Sequence, residues 1–307
     1  MKIFIAGGTG FVGGHLTREL LKRGHNPRLL VHKRGPGDKD GVEQVEGDVT
    51  RPESFVQALN GCDAAINLVG IIREFPSRGM TFERLHVQAT ANMLAAAKQA
   101  GIGRYLQMST LGTRPDAVSD YHRTKFRAEE LVRASHLDWT ILRPSLIYGP
   151  KDAFVNMLAG HLRLAPVMPV MGNGRYRLQP IHADDVARCF ALGLELPATI
   201  GRCFDLCGND RLSFDELLDA VAAAMGKSAP LKPHVPLGLM KLIVPVMQQV
   251  PQFPITMDQL QMLIEESICD GGWKLTFGFE PRSFREGIRE YLGSQAGARK
   301  GLERPDT

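Results

Sequence analysis

Residues 120–126 read DYHRTKF, which sets Tyr121 and Lys125 four positions apart. On a helix that spacing puts both side chains on one face, a turn apart. A phenol beside an ammonium is an acid/base couple, because the fixed positive charge favours phenolate and eases transfer of the phenolic proton. The same spacing also arises by chance on any charged, solvated helix face. Which reading holds depends on what the rest of the chain brings to the pair.

A second chemical signal opens the chain. KIFIAGGTGFVGGHLTREL (2–20) is an apolar strand pattern, a glycine-rich turn and a helix start. Gly8, Gly10 and Gly13 satisfy GxGxxG, and Gly7, Gly10 and Gly13 satisfy GxxGxxG; Thr9, Phe11 and Val12 fill the positions between them. Such glycines permit a tight turn and close approach of the backbone to a pyrophosphate, with free N–H groups of the following helix aimed at the anion. About twenty residues on, an NAD site usually carries an acid for the ribose 2′-hydroxyl. Here the second strand ends in LLVHKRG, with His32, Lys33 and Arg34. A basic cluster pairs with a 2′-phosphate where a carboxylate would repel it, so NADP(H) is the expected cofactor, with NAD(H) the alternative.

The charge distribution agrees. Residues 1–40 hold eight Lys or Arg against three acids, although the whole chain carries only +4. A nucleic-acid surface would spread a basic stripe interleaved with aromatics, so one anionic ligand near the N-terminus is the simpler expectation. With 307 residues, 44% hydrophobic and 23% charged, the chain reads as a globular protein of one large α/β domain with a smaller lobe. No signal peptide is expected ahead of KIFIA, and no uncharged apolar run approaches the ~18 residues of a membrane span. Five scattered cysteines (62, 189, 203, 207 and 269) form no CxxC pair. Cys203 and Cys207, flanking FDL, are expected in core packing, and a reducing cytoplasmic setting follows.

The elements that must position these residues follow from alternation. KIFIA, RLLVH, VEQVEGD, AAINLVG, RYLQMS, WTILRP and RCFDLC read as buried strands; helices are expected from near Gly13, Pro52, Thr81, Asp120 and Asp152. Alternating strands and helices imply a doubly wound parallel sheet, covered on both faces. Ser213 and Glu216 form a capping box ahead of a helix that stops near Gly226. The expected division is a nucleotide-binding core over 1–150, with return strands near 178–208, a substrate lobe over 151–293 and a disordered tail over 294–307. VPLGLMKLIVPVMQQVPQFPI (235–255) carries a single charge, and four prolines break it. It is expected as core of the small lobe over an apolar pocket, with peripheral membrane contact as the second reading.

The order of motifs resembles the short-chain dehydrogenase/reductase superfamily in its extended, epimerase/dehydratase-like and atypical branches. GGTGFVG (7–13), GDV (47–49), NLVG (67–70), QMST (107–110), YHRTK (121–125), ILRPSLIYGP (141–150) and PIHADDVA (180–187) carry the likeness over residues 1 to about 290. AINLVGIIRE, the early YHRTK, DWTILRPSLIYGPKDAFVN and the Pro-rich segment before DQLQ are similar to a narrower group. That group contains the nucleotide-binding accessory subunits of mitochondrial respiratory complex I and their bacterial relatives. The resemblance implies cofactor contacts at Asp48 and Val49, at Leu68, Val69 and Gly70, at Met108 and Ser109, and at Pro144, Ser145 and Leu146. It implies a catalytic set of Tyr121, Lys125 and Thr110, in which Lys125 also holds the nicotinamide ribose. Family enzymes carry an Asn where HVQATANML places His86, and the loop between Thr110 and Tyr121 is shorter than in typical extended members. His86 is then either a substitute for that amide or a packed helix residue.

Two functions stay open: an NADP(H)-dependent oxidoreductase or epimerase-like enzyme on a small carbonyl or hydroxyl substrate, and a non-catalytic nucleotide-binding accessory protein of a respiratory complex or quinone pathway. Arg143 and Arg175 are candidates to meet an anionic substrate. His182, Asp184 and Asp185 are expected to organise the junction between lobes, with no metal site.

Overall fold

The computed structural model describes residues 1–33, 42–248 and 255–300, and these divide into two compact units. The first comprises Met1–Pro144, Ala183–Leu206 and Gly272–Phe279; the second comprises the intervening and terminal stretches.

The first unit is built on a seven-stranded sheet: β1 (Lys2–Ala6), β2 (Asn26–Val31), β3 (Glu43–Glu46), β4 (Ala64–Asn67), β5 (Arg104–Met108), β6 (Asp138–Pro144) and β7 (Arg202–Leu206). Their spatial order is β7-β6-β5-β4-β1-β2-β3, and every pairing is parallel. Strands of such a sheet are covered on both faces, which is why β1 and β4 read as unbroken apolar runs: Ile3, Phe4, Ile5, Ala6, Ala64, Ala65 and Ile66 are fully buried. Helices α1 (Phe11–Lys22), α2 (Ala89–Gln99), α3 (Asp120–Arg133) and α4 (Ala183–Glu195) complete the unit. Phe4, Phe55, Leu59, Met93, Tyr105 and Ile141 share one core, and α1 packs on α4. The order of strand addition reverses between β1 and β4, which opens a crevice at their C-terminal ends.

Two expected helices differ. From Pro52 the chain makes two short 3-10 turns, Pro52–Ser54 and Val56–Leu59, because buried Phe55 and Leu59 pin a segment too short to propagate a helix. Near Thr81 it enters a π-helical stretch, Glu83–Gln88, before α2.

The second unit gathers Tyr148, Val155, Leu158, Phe214, Leu217 and Phe284 into its own core. Ala153–Leu164 starts on Asp152, whose carboxylate accepts the Val155 N–H. Phe214–Ala224 starts on the Ser213–Glu216 capping box, a device that contributes about 1 kcal/mol. The helix Leu237–Met247 does not bury its apolar residues as expected. Val244 is fully covered, but Leu239, Leu242, Ile243 and Met247 are exposed, and Pro245 lies inside the helix. The expectation of core packing for Cys207 is also corrected: it forms a disulfide with Cys269, 62 residues away. The last helix, Phe284–Lys300, runs into the segment read as a polar tail, and residues 301–307 lie outside the described residues.

Candidate functional site

The glycine turn follows β1 directly. Gly7 adopts φ +80°, a left-handed conformation that disfavours any side chain, and a Cβ there would lie 3.0 Å from the Leu68 carbonyl carbon. A Cβ on Gly13 would lie 2.4 Å from the Gly8 oxygen and 2.5 Å from that of Gly7. The turn is closed by Gly10 N–H donating to Gly7 O at 3.1 Å. Helix α1 then begins at Phe11 with no side-chain cap and no acid in its first turn. Its first N–H groups are therefore left for an anion, in a cradle that side chains would fill. Thr9 and Gly10 are exposed, while Val12 and Gly13 are buried beneath them.

At the end of β2, His32 and Lys33 are exposed; Arg34 lies outside the described residues. Asp48 is near enough to feel His32. Burial works to raise its carboxyl pKa, but hydrogen bonds from the Thr50 N–H and hydroxyl, both 2.8 Å, hold it below the usual range. Val49 is buried beside it.

The ends of β4 and β5 frame the next part. Leu68 is buried and Gly70 exposed, and the loop is shaped by Asn67, whose side-chain Oδ1 accepts the Val69 N–H at 3.0 Å. The Asn67 amide donates to Thr90 and Gln107, and Tyr105 donates to Gln107. Sequence reasoning passed over this buried polar cluster. Its signal was the polar residue closing or interrupting each apolar strand, in AAIN and RYLQM.

Helix α3 starts on Ser119, which accepts the His122 N–H, and brings Tyr121 and Lys125 into the same buried region; they are 8% and 2% exposed. The solvated-face reading therefore fails. The Lys125 ammonium donates to the carbonyls of Val69 and Met108, both at 3.3 Å, so one cation ties together the ends of β4 and β5. Burial pushes its pKa down to about 8, against an opposing pull from Glu129. Burial likewise pushes the Tyr121 phenol up, and a hydrogen bond with Thr110 opposes it only in part. A Cβ on Gly70 would stand 2.8 Å from Lys125 Nζ, so the space over the ammonium is kept free of a side chain. Ser109 is buried, with its hydroxyl 3.4 Å from that of Thr113, and Met108 is half-buried.

His86 is 1% exposed within the π-helical stretch, a rare form of helix that recurs at functional sites. Its Nδ1 lies 2.9 Å from Thr124 Oγ1 and its Nε2 meets the backbone of Ile71. The ring stacks on Phe82 and meets Tyr121 edge-on. Burial, with Lys125 nearby, drives its pKa down to about 2, so the imidazole is neutral.

Other candidates part company with the pair. Arg143 is not open to a substrate: it grips the fully buried Glu129 through two bonds, 2.7 and 2.5 Å, and Glu129 also holds Arg133. Asp184 pairs with His15 of α1 at 2.5 Å. Pro144 closes β6, whereas Ser145 and Leu146 belong to the second unit, where the Ser145 hydroxyl donates to Gln179 O. His182 is buried in the second unit edge-on to Tyr148, and Arg175 is exposed there. Among the described residues no group of three His, Cys, Asp or Glu is arranged to hold a metal ion.

Comparison with known proteins bears on the whole arrangement. A sequence family described as NAD(P)H-binding matches residues 7–160. The chain is 27% identical over 247 residues to the mitochondrial NADH dehydrogenase (ubiquinone) 1 alpha subcomplex subunit 9 of Dictyostelium discoideum, covering 78% of this chain and 68% of that protein. The match spans only 56% of the Arabidopsis thaliana protein of that name. It is also 27% identical over 336 residues to a 2-alkyl-3-oxoalkanoate reductase of Stenotrophomonas maltophilia, covering 96% and 100%. Among solved structures, a dTDP-glucose 4,6-dehydratase from Streptomyces venezuelae with NAD bound superposes with TM-score 0.74 at 21% identity, covering 98% of each chain. That last likeness establishes the fold.

Proposed function

We propose, for a chain that belongs to the NAD(P)H-binding family, an NADP(H)-dependent oxidoreductase or epimerase-like enzyme acting on a small carbonyl or hydroxyl compound. The observation that carries this reading is the convergence of two features on the C-terminal ends of neighbouring parallel strands. An uncapped glycine turn leaves β1, and a buried Tyr121–Lys125 pair is tied to the ends of β4 and β5.

Gly7, Gly10 and Gly13, with the α1 N-terminus, would hold the pyrophosphate. His32 and Lys33 would face a 2′-phosphate, and Asp48 and Val49 the adenine end. When bound, the nicotinamide supplies or accepts hydride. Lys125, with a pKa of about 8, is largely a cation at neutral pH and would hold the ribose hydroxyls. Tyr121 would donate a proton to the substrate oxygen, or take one from it, while Thr110 holds that oxygen.

NADPH oxidation is measured against aliphatic ketones, 3-oxoacids and quinones. Tyr121→Phe is expected to lower kcat roughly 10²–10⁴-fold while NADPH affinity changes less than about twofold, since the phenol acts in the transition state. Undiminished turnover by Tyr121→Phe on any accepted substrate would falsify the assignment.

A second reading is favoured by the names of the mitochondrial relatives and by burial that raises the pKa of the Tyr121 phenol, away from easy proton transfer. In it the nucleotide is held without turning over, at a respiratory complex or a membrane surface; the enzyme reading places the protein in the cytoplasm. Tight NADPH binding with no oxidation across the whole panel selects the second.

A further inference from the structure

An open cleft of about 1010 Å³ is lined wholly by residues of the second unit. Pro236, Leu237 and Ile264 give it an apolar wall, and Asp215 and His234 contribute polar groups. Gly172, at φ +73°, keeps part of the lining open: a Cβ there would lie 3.1 Å from Leu237.

Tyr176 also lines this cleft. The residue is 8% exposed and its ring stacks on Phe214 at 5.4 Å. Its hydroxyl is buried and has no hydrogen-bond partner among the described residues. Native proteins rarely leave a buried hydroxyl unsatisfied, because desolvation is then uncompensated. Burial raises the phenol pKa and nearby Asp215 adds to the effect, so the O–H stays protonated and available as a donor.

The acids of the wall are already engaged. Asp215 meets His234 Nε2 at 3.0 Å, and Glu266 pairs with Arg177 at 2.7 Å. Arg175 is the remaining cation of the lining. A strong anion would meet two carboxylates beside that arginine, so the charge pattern favours a neutral ligand.

We propose that this cleft binds an uncharged amphiphile, a medium-chain ketone or alcohol, whose oxygen accepts the Tyr176 O–H and whose hydrocarbon body lies against Pro236, Leu237 and Ile264. Every residue invoked belongs to the second unit, so the inference stands apart from the nicotinamide reading.

The test uses the full chain without nucleotide. Binding of 2-nonanone and of nonanoate is titrated by ligand-observed NMR, and thermal melting is followed in wild type and Tyr176→Phe. 2-Nonanone is expected to bind, nonanoate at least about tenfold more weakly. Tyr176→Phe should raise the Tm of the ligand-free protein, by removing an unsatisfied hydroxyl, and weaken 2-nonanone about five- to tenfold, the size of one neutral hydrogen bond. Ile264→Asp should weaken the ketone while leaving the hydroxyl in place. A lower Tm for ligand-free Tyr176→Phe shows that the hydroxyl already has a partner and overturns the proposal. So does equal ketone affinity in both proteins, nonanoate binding as tightly as the ketone, or no ketone binding at all.

Discussion

The glycine turn after β1 and the Tyr121–Lys125 pair on α3 are two halves of one candidate site, built by opposite means. The turn is backbone. Its geometry rests on Gly7 at φ +80° and on Gly13, where a side chain would overlap the Gly7 and Gly8 oxygens, and its charge comes from uncapped N–H groups. The pair is two buried side chains. Burial holds the Tyr121 phenol above its usual pKa and Lys125 at about 8, below its own. The backbone half is ready in the empty protein. The side-chain half is set by desolvation, which favours the protonated phenol and weakens the ammonium without discharging it at neutral pH.

That contrast can be broken most directly at Gly13. Gly13→Ala would force a Cβ to 2.4 Å from backbone oxygen, and NADPH affinity is expected to fall at least a thousandfold, about 4 kcal/mol. Circular dichroism would check that the fold persists; unchanged affinity would mean that the turn is not the anion cradle.

Next in size is the cost of burying Lys125. Its folded pKa of about 8 lies below the usual 10.5 of a lysine, so between these values the unfolded chain binds more protons. Stability of the nucleotide-free protein should therefore rise from pH 8 towards 10.5, by on the order of 3 kcal/mol from this group. Below pH 8 the penalty is fully present. Urea unfolding of wild type and Lys125→Met across that window isolates the contribution. Parallel profiles would show that Lys125 is not held against its charge.

Cofactor choice is a smaller effect. NADPH is expected to bind about tenfold more tightly than NADH, a gap of about 1.4 kcal/mol, and joint Lys33→Ala and Arg34→Ala changes should erase it with NADH affinity nearly unchanged. Equal affinities in the unaltered protein would remove the basis for an NADP(H) preference.

The smallest effect is expected on a face that neither half uses. Leu239 and Ile243 are exposed, so changing both to Glu should alter unfolding free energy by less than about 1 kcal/mol. A large loss would mean that this face is covered in solution.

The glycine turn, the parallel sheet, the Ser213–Glu216 cap and the placing of Tyr121 one turn from Lys125 were all legible in the chain. Each is a property of a short contiguous stretch: steric freedom at a glycine, a period of apolar residues, or one helical turn. The fate of the charges was not. Lys125 is buried because Val69 and Met108, distant in sequence, offer it carbonyls. Arg143 faces Glu129 rather than a substrate. Asn67 and Gln107 meet only because β4 and β5 are neighbours, and Cys207 finds Cys269 across 62 residues. Nor did the apolar run from 235 reveal that Leu239 and Leu242 would face water. Local spacing is written in consecutive residues, whereas desolvation and pairing depend on which distant segments packing brings together.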